Sequence, residues 1–123
     1  MKKLTCHCKG IEIEVNIPKD FTKLVKCNCS ICKRKGAIMT MVSSKDVKII
    51  KGQDLLQIYQ FHTKVAKHYF CQICGIYTHH NPRSNPAMCG INLGCLEGVN
   101  SLELKDVSIL DGKNHPLDKK KWR

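Results

Sequence analysis

The sequence predicts an all-β, β-rich domain of short antiparallel strands, and three observations carry that prediction. Residues Ile11-Glu12-Ile13-Glu14-Val15-Asn16-Ile17 alternate apolar and polar without a break, which places four aliphatic side chains on one face of a strand. Short apolar runs recur at fairly even spacing along the rest of the chain, separated by Gly and Pro, the pattern of many short strands. Seven of the nine cysteines fall into three close clusters, which offer the cross-links that a small core gains from.

Taken in order, strands are expected at 11–17, 23–26, 37–42, 47–50, 55–61, 65–70, 88–93 and 102–110. Pro18, Gly36, Gly52, Gly75, Pro82, Pro86, Gly98 and Gly112 punctuate the connections between them. Residues 54–60 fit either a strand or a helix, and no segment keeps a helical period over ten or more residues. One domain is expected over 1–115, followed by a basic tail at 116–123 that contains Lys119-Lys120-Lys121-Trp122-Arg123.

Composition narrows the class further. The 123 residues hold 21 Lys and Arg against 10 Asp and Glu, a formal charge of +11, with 42% apolar residues. That balance belongs to a folded chain, and no apolar run approaches the roughly 18 residues of a membrane span. The opening Met1-Lys2-Lys3-Leu4-Thr5-Cys6-His7-Cys8 lacks the apolar region of a secretory signal. A reducing, cytoplasmic setting is therefore expected, where an odd and dense set of cysteines points to metal rather than to disulfides.

The clusters are Cys6-x-Cys8, Cys27-x-Cys29-x-x-Cys32 and Cys71-x-x-Cys74-Gly75. One or two intervening residues let a tight turn bring two thiolates onto one ion at about 2.3 Å. Tetrahedral zinc takes four ligands, so the two pairs, Cys6 and Cys8 with Cys71 and Cys74, make one closed structural site. The triplet Cys27, Cys29 and Cys32 then holds a second zinc, giving two per chain. Its fourth position is either open, as at a catalytic metal, or closed by Cys95, Cys89 or a histidine. Redox-active thiols are the competing reading, but Cys71-x-x-Cys74 lacks the strand-to-helix setting of such a motif.

With all three clusters in this order over residues 4–110, the chain resembles the glutathione-dependent formaldehyde-activating enzyme family. Cys27-Asn28-Cys29-Ser30-Ile31-Cys32, Tyr69-Phe70-Cys71, Pro82-Arg83-Ser84-Asn85-Pro86 and Cys95-Leu96-Glu97-Gly98 are most similar to the branch that includes centromere protein V. The resemblance implies a coiled-sheet β-tent fold pinned by zinc. It implies a structural zinc on Cys6, Cys8, Cys71 and Cys74 and a more labile zinc on Cys27, Cys29 and Cys32. The implied activity is that of a carbon-sulfur lyase joining formaldehyde and glutathione into S-(hydroxymethyl)glutathione. Many members place Gly directly after the second cysteine, where this chain has Lys9 and then Gly10.

An open triplet site would let an entering thiol lose its proton below the free value of roughly 8.5, producing the nucleophile for an aldehyde carbon. Lys33 and Arg34, within the run Lys33-Arg34-Lys35, and Arg83 and Asn85, between two prolines, are the candidate contacts for the charged groups of glutathione. Cys95 is also readable as a reactive thiol or a small buried residue, and Cys89 as the latter. His7, between two ligands, is expected to point away from their ion. His62, His68, His79, His80 and His115 show no zinc-protease or deaminase spacing and are expected to be structural or on the surface.

A different class also fits the charge. The first 35 residues hold nine Lys and Arg against three Asp and Glu, enough for weak nucleic-acid binding. Aromatics at 6% leave few stacking platforms. The alternative is thus a non-catalytic, zinc-stabilised module that binds nucleic acid or a small thiol.

Overall fold

The computed structural model describes residues 1–17 and 23–114, so Pro18, His115 and the basic tail at 116–123 lie outside the described residues. A three-stranded antiparallel sheet is built from β1 (Lys2–Thr5), β2 (Glu12–Val15) and β5 (Val47–Lys51), in the order β1-β2-β5. The predicted alternation is the buried face: Ile11, Ile13 and Val15 are fully buried and Ile17 nearly so. Each such aliphatic contributes about 1.5–3 kcal/mol relative to exposure. Glu12 and Glu14 point to the opposite face, where Glu12 lies 3.6 Å from Lys3.

The second sheet has seven strands. β3 (Val25–Cys27), β4 (Met39–Ser43), β6 (Leu56–Tyr59), β7 (Lys67–Cys71), β8 (Tyr77–Asn81), β9 (Met88–Asn92) and β10 (Ser108–Leu110) run in the order β10-β3-β4-β9-β8-β7-β6. Pairings are antiparallel except β10 with β3, which is parallel. That exception follows from the path after β9, where short 3-10 turns at Leu93–Cys95 and Ser101–Glu103 carry the chain back before β10 begins. The sheets meet through Leu4 and Leu96, which form a β-bridge, and the Glu97 N–H donates to the Lys3 carbonyl at 2.8 Å. Leu4, Ile13, Ile91, Leu93 and Leu96 belong to one apolar core.

Several elements depart from the sequence-based expectation. β1 carries a single apolar residue, Leu4, too little for a periodicity. β8 reads as polar, yet Thr78, His79 and His80 are all buried and find side-chain partners. The helix α1 (Ser30–Lys35) has six residues, too short to show a helical period; the Cys29 side chain caps its start and Gly36, at φ 64°, ends it. Residues 54–60 resolve into a 3-10 turn and β6. The expected strand at 102–110 shrinks to β10, because Asn100 caps the turn at Ser101–Glu103 and leaves Leu102 exposed.

Close approach fixes the end of the small sheet. Gly52, at φ 82°, lies against Gly10, whose carbonyl oxygen occupies the space a Cβ at Gly52 would need. The segment that carries Cys6 and Cys8 is thereby seated on β5.

Candidate functional site

Two cysteine groups come together, divided as the spacing predicts. Cys6 and Cys8 follow β1, Cys71 ends β7 and Cys74 sits in the next turn, and their four sulfurs lie within 4.8 Å of one another. Cys6 Sγ is 3.6 Å from Cys8 Sγ, and Cys8 Sγ is 3.7 Å from Cys71 Sγ. Four sulfurs around an ion at 2.3 Å stand about 3.8 Å apart, so this set fits a tetrahedral metal. Backbone N–H groups support it, Ile11 donating to Cys6 Sγ and Ile73 to Cys71 Sγ, both at 3.4 Å.

Lys9 occupies the left-handed region in this turn, at φ 61°, the conformation glycine adopts without steric cost. Lys9→Gly is expected to raise stability by about 0.5–1 kcal/mol, read as a higher midpoint in urea unfolding. A lower midpoint would show that the Lys9 side chain contributes more than its backbone costs.

The triplet is built around the start of α1. Cys27 ends β3, Cys29 is the N-cap and Cys32 lies in the first turn, with all three sulfurs within 4.8 Å. Hydrogen bonds from the Cys27 and Cys32 thiols, then from the backbone N–H of Cys32 and Ile31, hold Cys29 far below the usual thiol range. Cys27 and Cys32 are pushed up, chiefly by sharing protons within the trio. Three thiols this close compete for the same protons, and a metal bound among them would displace those protons.

Residues 110–113 cover this trio. Asn28 donates to Leu110 O from its backbone at 3.1 Å and to Asp111 Oδ1 from its side chain at 3.2 Å, while Lys113 N–H donates to Asn28 Oδ1 at 2.8 Å. Gly112 sits so close that a Cβ there would meet Cys27 Sγ and lie 2.8 Å from Cys29 Cβ. Among the described residues no fourth Cys, His, Asp or Glu joins the triplet within the same 4.8 Å. Cys95 is elsewhere: its thiol lies 3.5 Å from the Tyr77 carbonyl and accepts from Asn92 Nδ2 at 3.4 Å. Cys89 is buried, with its thiol pushed up to about 12 by burial.

The triplet forms part of the wall of a cavity of about 370 Å³, otherwise largely apolar, with Met39, Met41, Phe61 and Leu110 in its lining. Arg83 also lines it and donates to the Gly112 carbonyl at 2.8 Å. Asn85 does not: it is exposed and accepts from the Ala87 N–H at 3.2 Å, closing its own turn. Lys33 and Arg34 are exposed, and the Arg34 guanidinium donates to Ser30 O at 2.7 Å. The inward member of the basic run is Lys35, whose Nζ lies 2.7 Å from His68 Nδ1 and 3.6 Å above the Tyr77 ring.

His68 and His80 face one another across β7 and β8, stacked at 5.4 Å, and both line the cavity. Thr78 is the extra residue of a bulge between these strands, and the bulge turns Tyr77 to the His80 side, with Tyr77 Oη 2.6 Å from His80 Nδ1. His79 takes the other face, bonded to Thr78 Oγ1 at 2.8 Å and stacked on Tyr69. No histidine spacing in the sequence signals this arrangement. It is created by register.

Burial, with the Lys35 charge second, lowers His68 to about 4, His79 to about 4 and His80 to about 3. Folded values below the unfolded 6.5 mean that the unfolded chain takes up protons first. The stability these rings contribute is complete above pH 6.5 and is lost as pH falls toward 4, at about 1.4 kcal/mol per unit for each ring. His79→Gln is expected to flatten the pH dependence of the urea midpoint between pH 7 and 4.5 by one such increment. Parallel curves for the two proteins would contradict the assignment.

No described helix is long and apolar enough to cross a membrane. Residues 1–109 match the family described as glutathione-dependent formaldehyde-activating enzyme. A protein of Emericella nidulans, provisionally named a glutathione-dependent formaldehyde-activating enzyme, is 28% identical over 79 residues. The match covers 61% of this chain and 40% of that protein, so the chain spans well under two thirds of this curated relative. The crystal structure of a Rhodobacter sphaeroides protein is similar with a TM-score of 0.83 and 46% identity, covering 88% of this chain and 99% of that one.

Proposed function

The chain belongs to the glutathione-dependent formaldehyde-activating enzyme family, and from that premise we propose that it is a carbon-sulfur lyase joining formaldehyde to glutathione or a related small thiol. The reaction is placed at a zinc on Cys27, Cys29 and Cys32, with a second, structural zinc on Cys6, Cys8, Cys71 and Cys74. One observation carries the proposal: three sulfurs are grouped on a cavity wall, with no fourth protein ligand among the described residues.

Zinc bound there supplies a coordination position at which an entering thiol gives up its proton near neutral pH. The chain does the rest. Arg83 offers a fixed cation in the same cavity, suited to a carboxylate of glutathione. Lys33 and Arg34, exposed beside the ligands, add longer-range attraction for the same anion. The apolar wall excludes water from around the small aldehyde, which strengthens every polar contact made to it. Asn85, turned into its own loop, has no part in this scheme.

Reduced thiols at both centres suit a cytoplasmic setting, and the quoted motifs keep the branch that includes centromere protein V within the proposal. The test is loss of free glutathione thiol on adding formaldehyde to zinc-loaded protein. A rate well above the uncatalysed one is expected; equality with it would reject the reaction. Salt-sensitive nucleic-acid binding without turnover would favour the non-catalytic alternative, which rests on the +11 charge.

A further inference from the structure

We propose that His68 and His80 together form an N–H donor site for the carbonyl oxygen of the aldehyde, with Lys35 and Tyr77 as the positioning residues that set which nitrogen of each ring carries the proton. This deepens the reaction proposed above and rests on it for the identity of the oxygen.

Burial lowers Lys35 to about 8, so at pH 7 it is mainly an ammonium; in that form it donates to His68 Nδ1, 2.7 Å away, and a ring whose Nδ1 accepts carries its proton on Nε2. At His80 the partner is a hydroxyl. Three acceptors compete for the one Tyr77 proton, the Met39 sulfur at 3.3 Å, the Gly90 carbonyl at 3.5 Å and His80 Nδ1 at 2.6 Å, and on this proposal it goes to the nearest, Nδ1. His80 is then also an Nε2–H tautomer. Among the described residues neither Nε2 meets a hydrogen-bond partner, and neither is a sealed, unpartnered atom. The two rings, opposite in register and nearly parallel at 11°, line the cavity that holds the triplet.

The chemistry calls for such a site. The thiolate sulfur forms the new bond to carbon, the carbonyl π pair moves onto oxygen, and the proton released by the thiol is returned to that oxygen. Charge grows on the oxygen throughout. Two fixed neutral N–H groups in a largely apolar cavity stabilise it without reorganisation. Arg83 donates to the Gly112 carbonyl, and Lys35 is not among the residues lining the cavity.

Long-range proton–nitrogen NMR of the zinc-loaded protein reads the tautomers directly. Both rings are expected as Nε2–H. Lys35→Met is expected to mix the tautomers of His68 while leaving His80 as it was, and Tyr77→Phe to do the converse. Formate, a planar one-carbon oxygen anion, is expected to move both Nε2–H resonances. In turnover, His68→Leu and His80→Leu, each checked for wild-type metal content and melting, are expected to lower kcat by ten- to a thousandfold, with the KM for glutathione within about twofold. His68→Gln and His80→Gln, which keep a donor near Nε2, are expected to recover at least a tenth of the activity. An Nδ1–H tautomer at either ring, resonances indifferent to formate, or Leu variants that change KM alone would overturn the proposal. Wild-type protein that consumes no thiol, yet shows both tautomers and the formate response, would reject the lyase reaction and uphold the donor pair.

Discussion

Cys71→Ser is expected to abolish cooperative folding of this domain under conditions where the wild-type chain melts as a unit. Cys71 is fully buried, ends the strand that pairs with both β6 and β8, and holds its sulfur 3.7 Å from that of Cys8, 63 positions earlier. A metal on this group would tie the small sheet to the large one, and binding of a structural zinc is folding free energy of about 10–16 kcal/mol in comparable sites. Typical domains have only about 5–15 kcal/mol in total, so weakening one of four ligands removes a large share. Circular dichroism with temperature is the check, and a chelator should produce the same loss in the wild-type protein. A variant that melts cooperatively within a few degrees of wild type would show that the apolar core suffices.

Cys29→Ser should give the opposite pattern. Serine is a good N-cap, so α1 keeps its start, and the cluster tying the two sheets together is untouched. What is lost is the middle sulfur of the triplet, which accepts from the Cys32 N–H at 3.4 Å. One of two metal equivalents should disappear, melting should shift by no more than a few degrees, and thiol-consuming activity should fall by at least about a hundredfold. Retained activity would move the chemistry away from the triplet. Collapse of the fold would make the triplet a second staple.

The parts of this molecule that were legible in the sequence are those written in short-range pattern. The strand around Ile13 announces itself by alternation, and the cysteine clusters by spacing. The partition into four and three follows from counting ligands. What escaped depends on contacts made at long range. β8 is a strand of polar residues buried by its pairing with β7 and β9, which also stacks His79 on Tyr69 and His80 on His68. Lys35 reads in the sequence as one more member of a basic run; the turn of a six-residue helix separates it from Lys33 and Arg34 and sends it to His68. Cys95 was readable as a fourth ligand because sequence carries no distance, and the fold places it beside Tyr77 O instead. The parallel pairing of β10, which brings Gly112 over Cys27 and Cys29, depends on a return path that local signals do not encode.

Cobalt(II) substitution tests the two-centre account most directly, because the sulfur-to-metal charge-transfer bands report thiolate ligands at each ion. Two equivalents should bind, and glutathione should intensify the bands of one equivalent while leaving the other unchanged, as a thiol completes the triplet. Saturation at one equivalent, or two equivalents both indifferent to glutathione, would contradict an open metal position at Cys27, Cys29 and Cys32.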